Sequence, residues 1–223
     1  MIFLAILVKI VLFIFVLWAE PSSILRIDSE MYLRDAEAWI RFFADPALGL
    51  QHSLFRTPGY TFFLAVLQSV CGLPLMSIVF LQIVLNLVTA LAVHRTALVI
   101  DQRMAPWAAL IVLLDQPTTI FSMMIMTEAL HLFFMALFVL AFVHYLKERS
   151  LWWLAGAGLF LALSVYVRPV GYFLGFPVAL AIIYFAGWRR ILVGIGHAVL
   201  FFAVTYGVIG LWQYRNFVKT NDA

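Results

Sequence analysis

Three groups of side chains have the types and the spacing to do chemistry. The first is Asp28, with Glu30 two residues on. A carboxylate beside a binding surface can take a proton from an incoming hydroxyl. A carboxylate at the start of a helix can equally be its N-cap, and position alone leaves both readings of Asp28 open. The second group is Asp115 and Glu128, two acids set in apolar sequence. Ionisable groups among apolar helices are expensive and mark functional sites by default. The alternative is that they lie in a polar layer or pair with Arg168. The third group is Arg56 and Arg168, whose guanidinium forks match the geometry of a phosphate. Contact with lipid headgroups, or topological punctuation, is the competing account. There is no zinc spacing of His, Cys and Asp, no phosphate-binding glycine loop, no dinucleotide fingerprint and no Gly-x-Ser-x-Gly. The chemistry on offer is that of carboxylates and guanidinium groups, and no metal ligand set is assigned. A divalent metal could still be held through oxygen by Asp28 with Glu30 or Glu128.

The elements that position these groups are membrane helices. The chain has 223 residues, of which 65% are hydrophobic and 11% charged, with mean hydropathy +1.06. A soluble domain has about 45–50% apolar and about 25% charged residues; so much apolar surface needs a lipid bilayer around it. The formal charge of +3 is small and scattered between apolar segments. No basic stripe of the kind that binds nucleic acid is present. The single cysteine, Cys71, can form no intrachain disulfide.

Seven stretches approach the roughly 20 apolar residues that a span requires: Ile2–Trp18, Met76–Val99, Met104–Phe121, Leu130–Leu146, Leu151–Val167, Val170–Trp188 and Ile191–Trp212. The sixth contains Pro177, which membrane helices tolerate when neighbours satisfy the freed backbone groups. The first lacks a basic start and a small-residue cleavage site, so it reads as a retained helix rather than a signal. Lys9 within it is expected to snorkel toward the near interface, or to hold a lipid phosphate. Thr61–Gly72 is apolar but short, an interfacial or re-entrant helix. The expected fold is an all-α polytopic membrane protein: one module over residues 1–223, with about seven transmembrane helices and an amphipathic interfacial helix at the outer face.

Basic residues in short connections set the orientation. Arg95 and Arg103 flank the connection after the second stretch, Lys147 and Arg149 lie in the one after the fourth, and Arg189 and Arg190 make the one after the sixth. They share one side, which is then cytoplasmic together with the N-terminus. The segment 19–57, the Gln116–Thr119 turn, the Arg168 turn and the tail from Arg215 face outward. Trp152, Trp153, Trp188 and Trp212 lie near stretch ends, as interfacial anchors do. Asn86, Thr89 and His94 are expected to hydrogen-bond between helices. In the outer segment, Tyr32, Ala36, Trp39 and Phe43 recur at helical spacing, while Arg34, Asp35, Glu37 and Arg41 lie largely elsewhere. This predicts a surface helix over Asp28–Asp45, broken by Pro46 and Gly49. The polar residues gather toward one face, which favours an interfacial enzyme. A small transporter would show inverted repeats and polar residues at the midplane.

Five segments then carry a family resemblance. They are Asp28-Ser29-Glu30-Met31-Tyr32; Arg56-Thr57-Pro58-Gly59-Tyr60; Met126-Thr127-Glu128-Ala129-Leu130; Gly156-Ala157-Gly158-Leu159 through Arg168-Pro169; and Tyr214-Arg215-Asn216-Phe217. In order and placement the chain resembles the N-terminal membrane module of the GT-C glycosyltransferases, and looks most like the branch of protein O-mannosyltransferases and aminoarabinose lipid A transferases. The family's adjacent Asp-Glu is here split by Ser29. The resemblance implies transfer of a sugar from a polyprenyl-phosphate carrier to an acceptor, at the outer face of a bacterial plasma (inner) membrane. It implies Asp28 as the base and Glu128, less surely Asp115, as the second acid. Glu30, Tyr32, Arg56 and Arg168 would bind substrate, the arginines at the carrier phosphate. It also implies direct displacement at the anomeric carbon. Relatives usually carry further spans, so a partner membrane subunit is expected if the chain does not act alone. The alternative is a non-catalytic binding, scaffolding or flipping module with the same fold.

Overall fold

The structure, a computed structural model, describes residues 2–19, 21–54 and 56–221. Among these, every regular element is a helix. The main helices are α1 (Ile2–Ala19), α2 (Ile27–Ala44), α3 (Pro58–Ala65), α4 (Leu75–Ile100), α5 (Ala105–Leu114), α6 (Gln116–Ser122), α7 (Glu128–Glu148), α8 (Leu151–Val167), α9 (Gly175–Ala186) and α10 (Ile191–Asn221). The chain divides into two compact units, Met1–Phe133 and Phe134–Ala223.

Among the described residues, four helical segments are long and apolar enough to cross a membrane: Leu75–Ile100, Glu128–Glu148, Pro169–Ala186 and Trp188–Thr220. This is fewer than the seven expected from hydropathy. The other three stretches form shorter apolar helices: Ala5–Val16 within α1, Ala105–Leu114 and Leu151–Val167. The reasons are local. The stretch Met104–Phe121 breaks at Asp115, whose backbone is extended and whose side chain caps α6 by accepting the Thr118 N–H at 2.8 Å. Pro117, in the first turn of α6, has no N–H with which to continue α5. Helix α8 stops at Val167 because Arg168 precedes a proline, which pushes its backbone out of the helical region. At the chain's end the opposite holds: the stretch expected to finish at Trp212 continues as helix to Asn221.

In the first unit, α2 runs one residue from its expected bounds and stops before Pro46. Gly49 follows with φ +64, a conformation that suits glycine. Trp39, Phe43 and Phe62 form edge-on aromatic contacts, 5.2 and 6.0 Å between ring centroids, that pack α2 on α3. Beyond α3 one wide helical turn, Val66–Val70, leads to Pro74 and α4. Ala5, Ala90, Leu110 and Leu113 make a small core among α1, α4 and α5.

Lys9 departs from expectation. It is 2% exposed and donates to Asn86 Oδ1 at 2.8 Å and to Thr119 Oγ1. It does not snorkel, because α4 and α6 bring acceptors to it. Asn86 thus bonds between helices as expected. Thr89 instead donates to Leu85 O within its own helix, and His94 Nδ1 is buried with no hydrogen-bond partner.

In the second unit, Tyr145, Leu154, Ala157, Leu161, Ile182 and Phe201 are fully buried. Helices α8 and α10 approach closely at Gly158. A Cβ there would lie 3.2 Å from Phe201 O, 3.1 Å from Thr205 Oγ1 and 3.2 Å from Val204 Cβ. Thr205 Oγ1 also donates to Gly158 O at 3.2 Å. At Gly156 the nearest atoms to such a Cβ are 4.0 Å away.

These distances set opposite outcomes at two neighbouring glycines. Gly158→Leu should lower stability by about 1–3 kcal/mol, since backbone blocks the side chain. Gly156→Ala should raise it by about 0.4–1 kcal/mol through the unfolded chain. Thermal denaturation of the detergent-solubilised protein checks both; equal melting temperatures for the two variants would refute the close approach.

Candidate functional site

The first turn of α2 fixes the leading acids. Arg26, not Asp28, holds the N-cap position. Ser29 does the work of a capping side chain: the Arg26 N–H donates to Ser29 Oγ at 2.9 Å, and the Ser29 N–H to Arg26 O at 2.9 Å. The Ser29 hydroxyl in turn donates to Ile125 O at 2.8 Å. The Ile125 N–H donates to Ile24 O at 2.9 Å. Ser29 is fully buried. Successive helical residues turn by about 100°, so pinning Ser29 inward leaves Asp28 and Glu30 exposed on either side. The capping role weighed for Asp28 is therefore taken by other groups.

Arg56 comes to Asp28 from the segment before α3. Its Nη2 lies 3.5 Å from Asp28 Oδ1, and its guanidinium stacks over the Tyr32 ring at 4.6 Å. It also touches Met31 Sδ. A half-exposed ion pair of this kind contributes at most about 1 kcal/mol, so the pair is not there for stability. The guanidinium has five N–H donors and meets one carboxylate oxygen among the described residues. Nη2 faces both Asp28 Oδ1 and Met31 Sδ, and the plane of the fork lies over Tyr32.

Tyr32 leads inward. Its ring meets Tyr60 edge-on, 5.2 Å between centroids. Tyr60 is 1% exposed and donates its hydroxyl to Gln82 Oε1 at 2.6 Å. Gln82, buried in α4, donates its amide to Met124 O and to Ser122 O, the latter at 3.4 Å. Burial first, then the neighbouring Tyr32 phenol and the Glu128 carboxylate, pushes the Tyr60 phenol well above its usual range, so it serves as a donor. Glu128 begins α7 three residues after Ile125, is half-buried, and accepts from the Thr127 hydroxyl at 3.3 Å. Its charge acts on Tyr60.

The first unit thus brings together Asp28, Tyr32 and Arg56, with Glu30 exposed beside Asp28; Glu128 is linked to them only through its charge on Tyr60. Asp115 sits apart in role: its carboxylate caps α6 through the Thr118 N–H and hydroxyl. Arg168 follows α8 in the second unit, its N–H bonded to Ser164 O at 2.9 Å. Among the described residues no three His, Cys, Asp or Glu side chains gather to hold a metal ion.

Sequence reasoning missed Ser29 and Gln82 as positioning residues. Ser29 read only as a spacer between two acids. Gln82 is a polar residue in an apolar helix one turn before Asn86, and that was its available signal. His52 was also unforeseen. It is 3% exposed, with ring nitrogens 2.8 Å from Ser53 O and 2.7 Å from Thr61 Oγ1, which ties the loop ahead of Arg56 to α3.

A family model described as dolichyl-phosphate-mannose-protein mannosyltransferase matches residues 55–212. The matched stretch contains Arg56, Asp115, Glu128 and Arg168; Asp28, Glu30 and Tyr32 lie before it. No curated protein and no solved structure matches the chain.

Gln82 gives the site its stability test. Gln82→Leu leaves the buried Tyr60 hydroxyl without its acceptor and takes from the Met124 carbonyl one of its two donors, the Met126 N–H remaining, and should cost about 1–3 kcal/mol. Adding Tyr60→Phe should recover part of that loss, because the orphaned hydroxyl is gone. Thermal melts of the two variants check this; a double variant less stable than the single one would break the coupling.

Proposed function

Because this chain belongs to the dolichyl-phosphate-mannose-protein mannosyltransferase family, and the GT-C resemblance of its motifs is thereby borne out, we propose that it is a membrane glycosyltransferase that moves a sugar from a polyprenyl-phosphate carrier to an acceptor hydroxyl at the outer face of a bacterial plasma membrane. In this reading all seven apolar stretches cross or enter the bilayer, the N-terminus is cytoplasmic, and the chain acts as one module. The observation that carries it is the pairing of a carboxylate and a guanidinium: Asp28 and Arg56 at 3.5 Å, both accessible.

The chemistry asks for two charges of opposite sign close together. Asp28 takes the proton of the acceptor hydroxyl as its oxygen attacks the anomeric carbon. The bond from that carbon to the carrier phosphate breaks, and its electron pair leaves with the phosphate. Arg56 binds that growing negative charge through the donors Asp28 does not occupy. Arg168 is a second candidate for the same phosphate. Tyr32 holds the Arg56 plane and is a surface for the sugar. Glu128 is the second acid, in reach of acceptor or sugar hydroxyls, and Glu30 lies at the rim. Asp115 is retained only as a binding position near a helix start.

A second reading, a non-catalytic membrane subunit with the same fold, has one observation in its favour: Asp28 lies outside the matched stretch. The experiment that separates the two is transfer from a panel of radiolabelled polyprenyl-phosphate sugars in membranes. Asp28→Asn should fold normally and lose about 10²–10⁴ of the rate. Arg56→Gln should lose transfer and weaken donor binding. Full activity in Asp28→Asn removes Asp28 as the base. No transfer by the wild type from any donor, even with partner proteins of its own membrane present, leaves the subunit reading.

A further inference from the structure

Lys9, Asn86 and Thr119 form a second polar knot, and the proposed reaction uses none of the three. The ammonium has three N–H donors. Two reach neutral acceptors, Asn86 Oδ1 at 2.8 Å and Thr119 Oγ1. Because an ammonium only donates, Asn86 must present its oxygen to Lys9, and its amide nitrogen is therefore fixed as a donor. That nitrogen is buried with no hydrogen-bond partner, in a residue 1% exposed. Thr119 has no hydrogen to spare, since its hydroxyl donates to Asp115 O at 2.8 Å. The third Lys9 N–H likewise finds no acceptor among the described residues. The Asp115 carboxylate, which acts on Lys9 through its charge, accepts the N–H and hydroxyl of Thr118. The knot has donors in surplus and carries a cation.

Lys9 also lines a cavity of about 510 Å³ among α1, α5 and α6. Its walls are otherwise almost wholly apolar, with Val8, Leu12, Leu110, Leu113 and Ile120 among them; Gln116 and Thr119 are the other polar residues. That volume lies within the roughly 300–1,000 Å³ of ligand sites, which are apolar with a few convergent polar groups. A buried cation with an unused donor at the wall of an apolar cavity selects by charge: an oxyanion satisfies the donor and the charge, and an apolar chain fills the rest.

We infer that this cavity binds a lipid with one oxyanion head and a single apolar chain, its head on Lys9 and its chain along Val8, Leu12 and Leu113. The site shares no residue with the Asp28–Arg56 cluster, and the inference does not rest on the transferase reading.

The test is equilibrium binding to the full chain in detergent micelles, with hexadecyl phosphate, hexadecanol and inorganic phosphate as probes. Hexadecyl phosphate should bind about tenfold to a hundredfold more tightly than hexadecanol, the range expected of a charge-assisted hydrogen bond. Inorganic phosphate should bind far more weakly than either. Lys9→Met should bring the two chain-bearing probes within about twofold, while Arg56→Gln and Asp28→Asn keep the wild-type preference. Val8→Trp, which fills the cavity from an exposed position and leaves Lys9 intact, should lose both probes; it decides the matter if Lys9→Met does not fold. Equal binding of phosphate and alcohol by the wild type would overturn the inference. So would a preference that survives Lys9→Met, binding that survives Val8→Trp, or a preference abolished by Arg56→Gln, which would put the probe at the donor site instead.

Discussion

The candidate site depends on how the short segment from Ser122 to Thr127 satisfies its backbone. It runs between the end of α6 and the start of α7, and only Thr127 O, which accepts the His131 N–H, and Met124 O, which accepts the Met126 N–H, have backbone donors there among the described residues. Buried carbonyls must find donors. Here they find them in two other elements: Ser29 of α2 donates to Ile125 O, and Gln82 of α4 to Ser122 O and Met124 O. Each of those donors carries something with it. Ser29 sits between Asp28 and Glu30. Gln82 holds Tyr60, on which Tyr32 and then Arg56 stack. The segment itself ends at Glu128. Carboxylates and guanidinium far apart in sequence are therefore held through the same few peptide groups.

This arrangement divides labour between buried and exposed groups. The hydrogen bonds that set position are buried and neutral, where each is worth most. The charged groups they position are accessible, where an ion pair contributes little to folding. A site built this way can change its charged partner, from a side chain to a substrate phosphate, without disturbing the framework beneath.

Much of this was legible in the sequence, for identifiable reasons. The helix α2 announced itself through the spacing of Tyr32, Ala36, Trp39 and Phe43, and three of the five motifs behind the resemblance stand at helix starts, those at Asp28, Arg56 and Glu128. What hydropathy could not show was where apolar stretches stop being continuous helix. Asp115-Gln116-Pro117 sits inside a stretch that reads as a span, yet capping by Asp115 and the missing proline N–H split it. Lys9 was misjudged for a related reason: a lone lysine in an apolar helix is expected to seek water, and only the fold reveals that Asn86 and Thr119 meet it first. Ser29 and Gln82 were opaque because their value lies in peptide groups about 40 to 100 positions away.

The second unit holds two packed helices of very different length. Helix α8 has 17 residues and α10 has 31, so at 1.5 Å per residue they measure about 26 and about 46 Å. The hydrocarbon of a typical bilayer is about 30 Å thick. One rod is short for that slab and its neighbour is long, and their close contact at Gly158 prevents either from tilting independently. The apolar part of α10, from Ile191 to Trp212, is about 33 Å long and matches that slab, while its polar end runs on to Asn221. A bilayer that held both helices would have to thin beside α8, and soft, disordered lipid would do so at lower cost than stiff lipid.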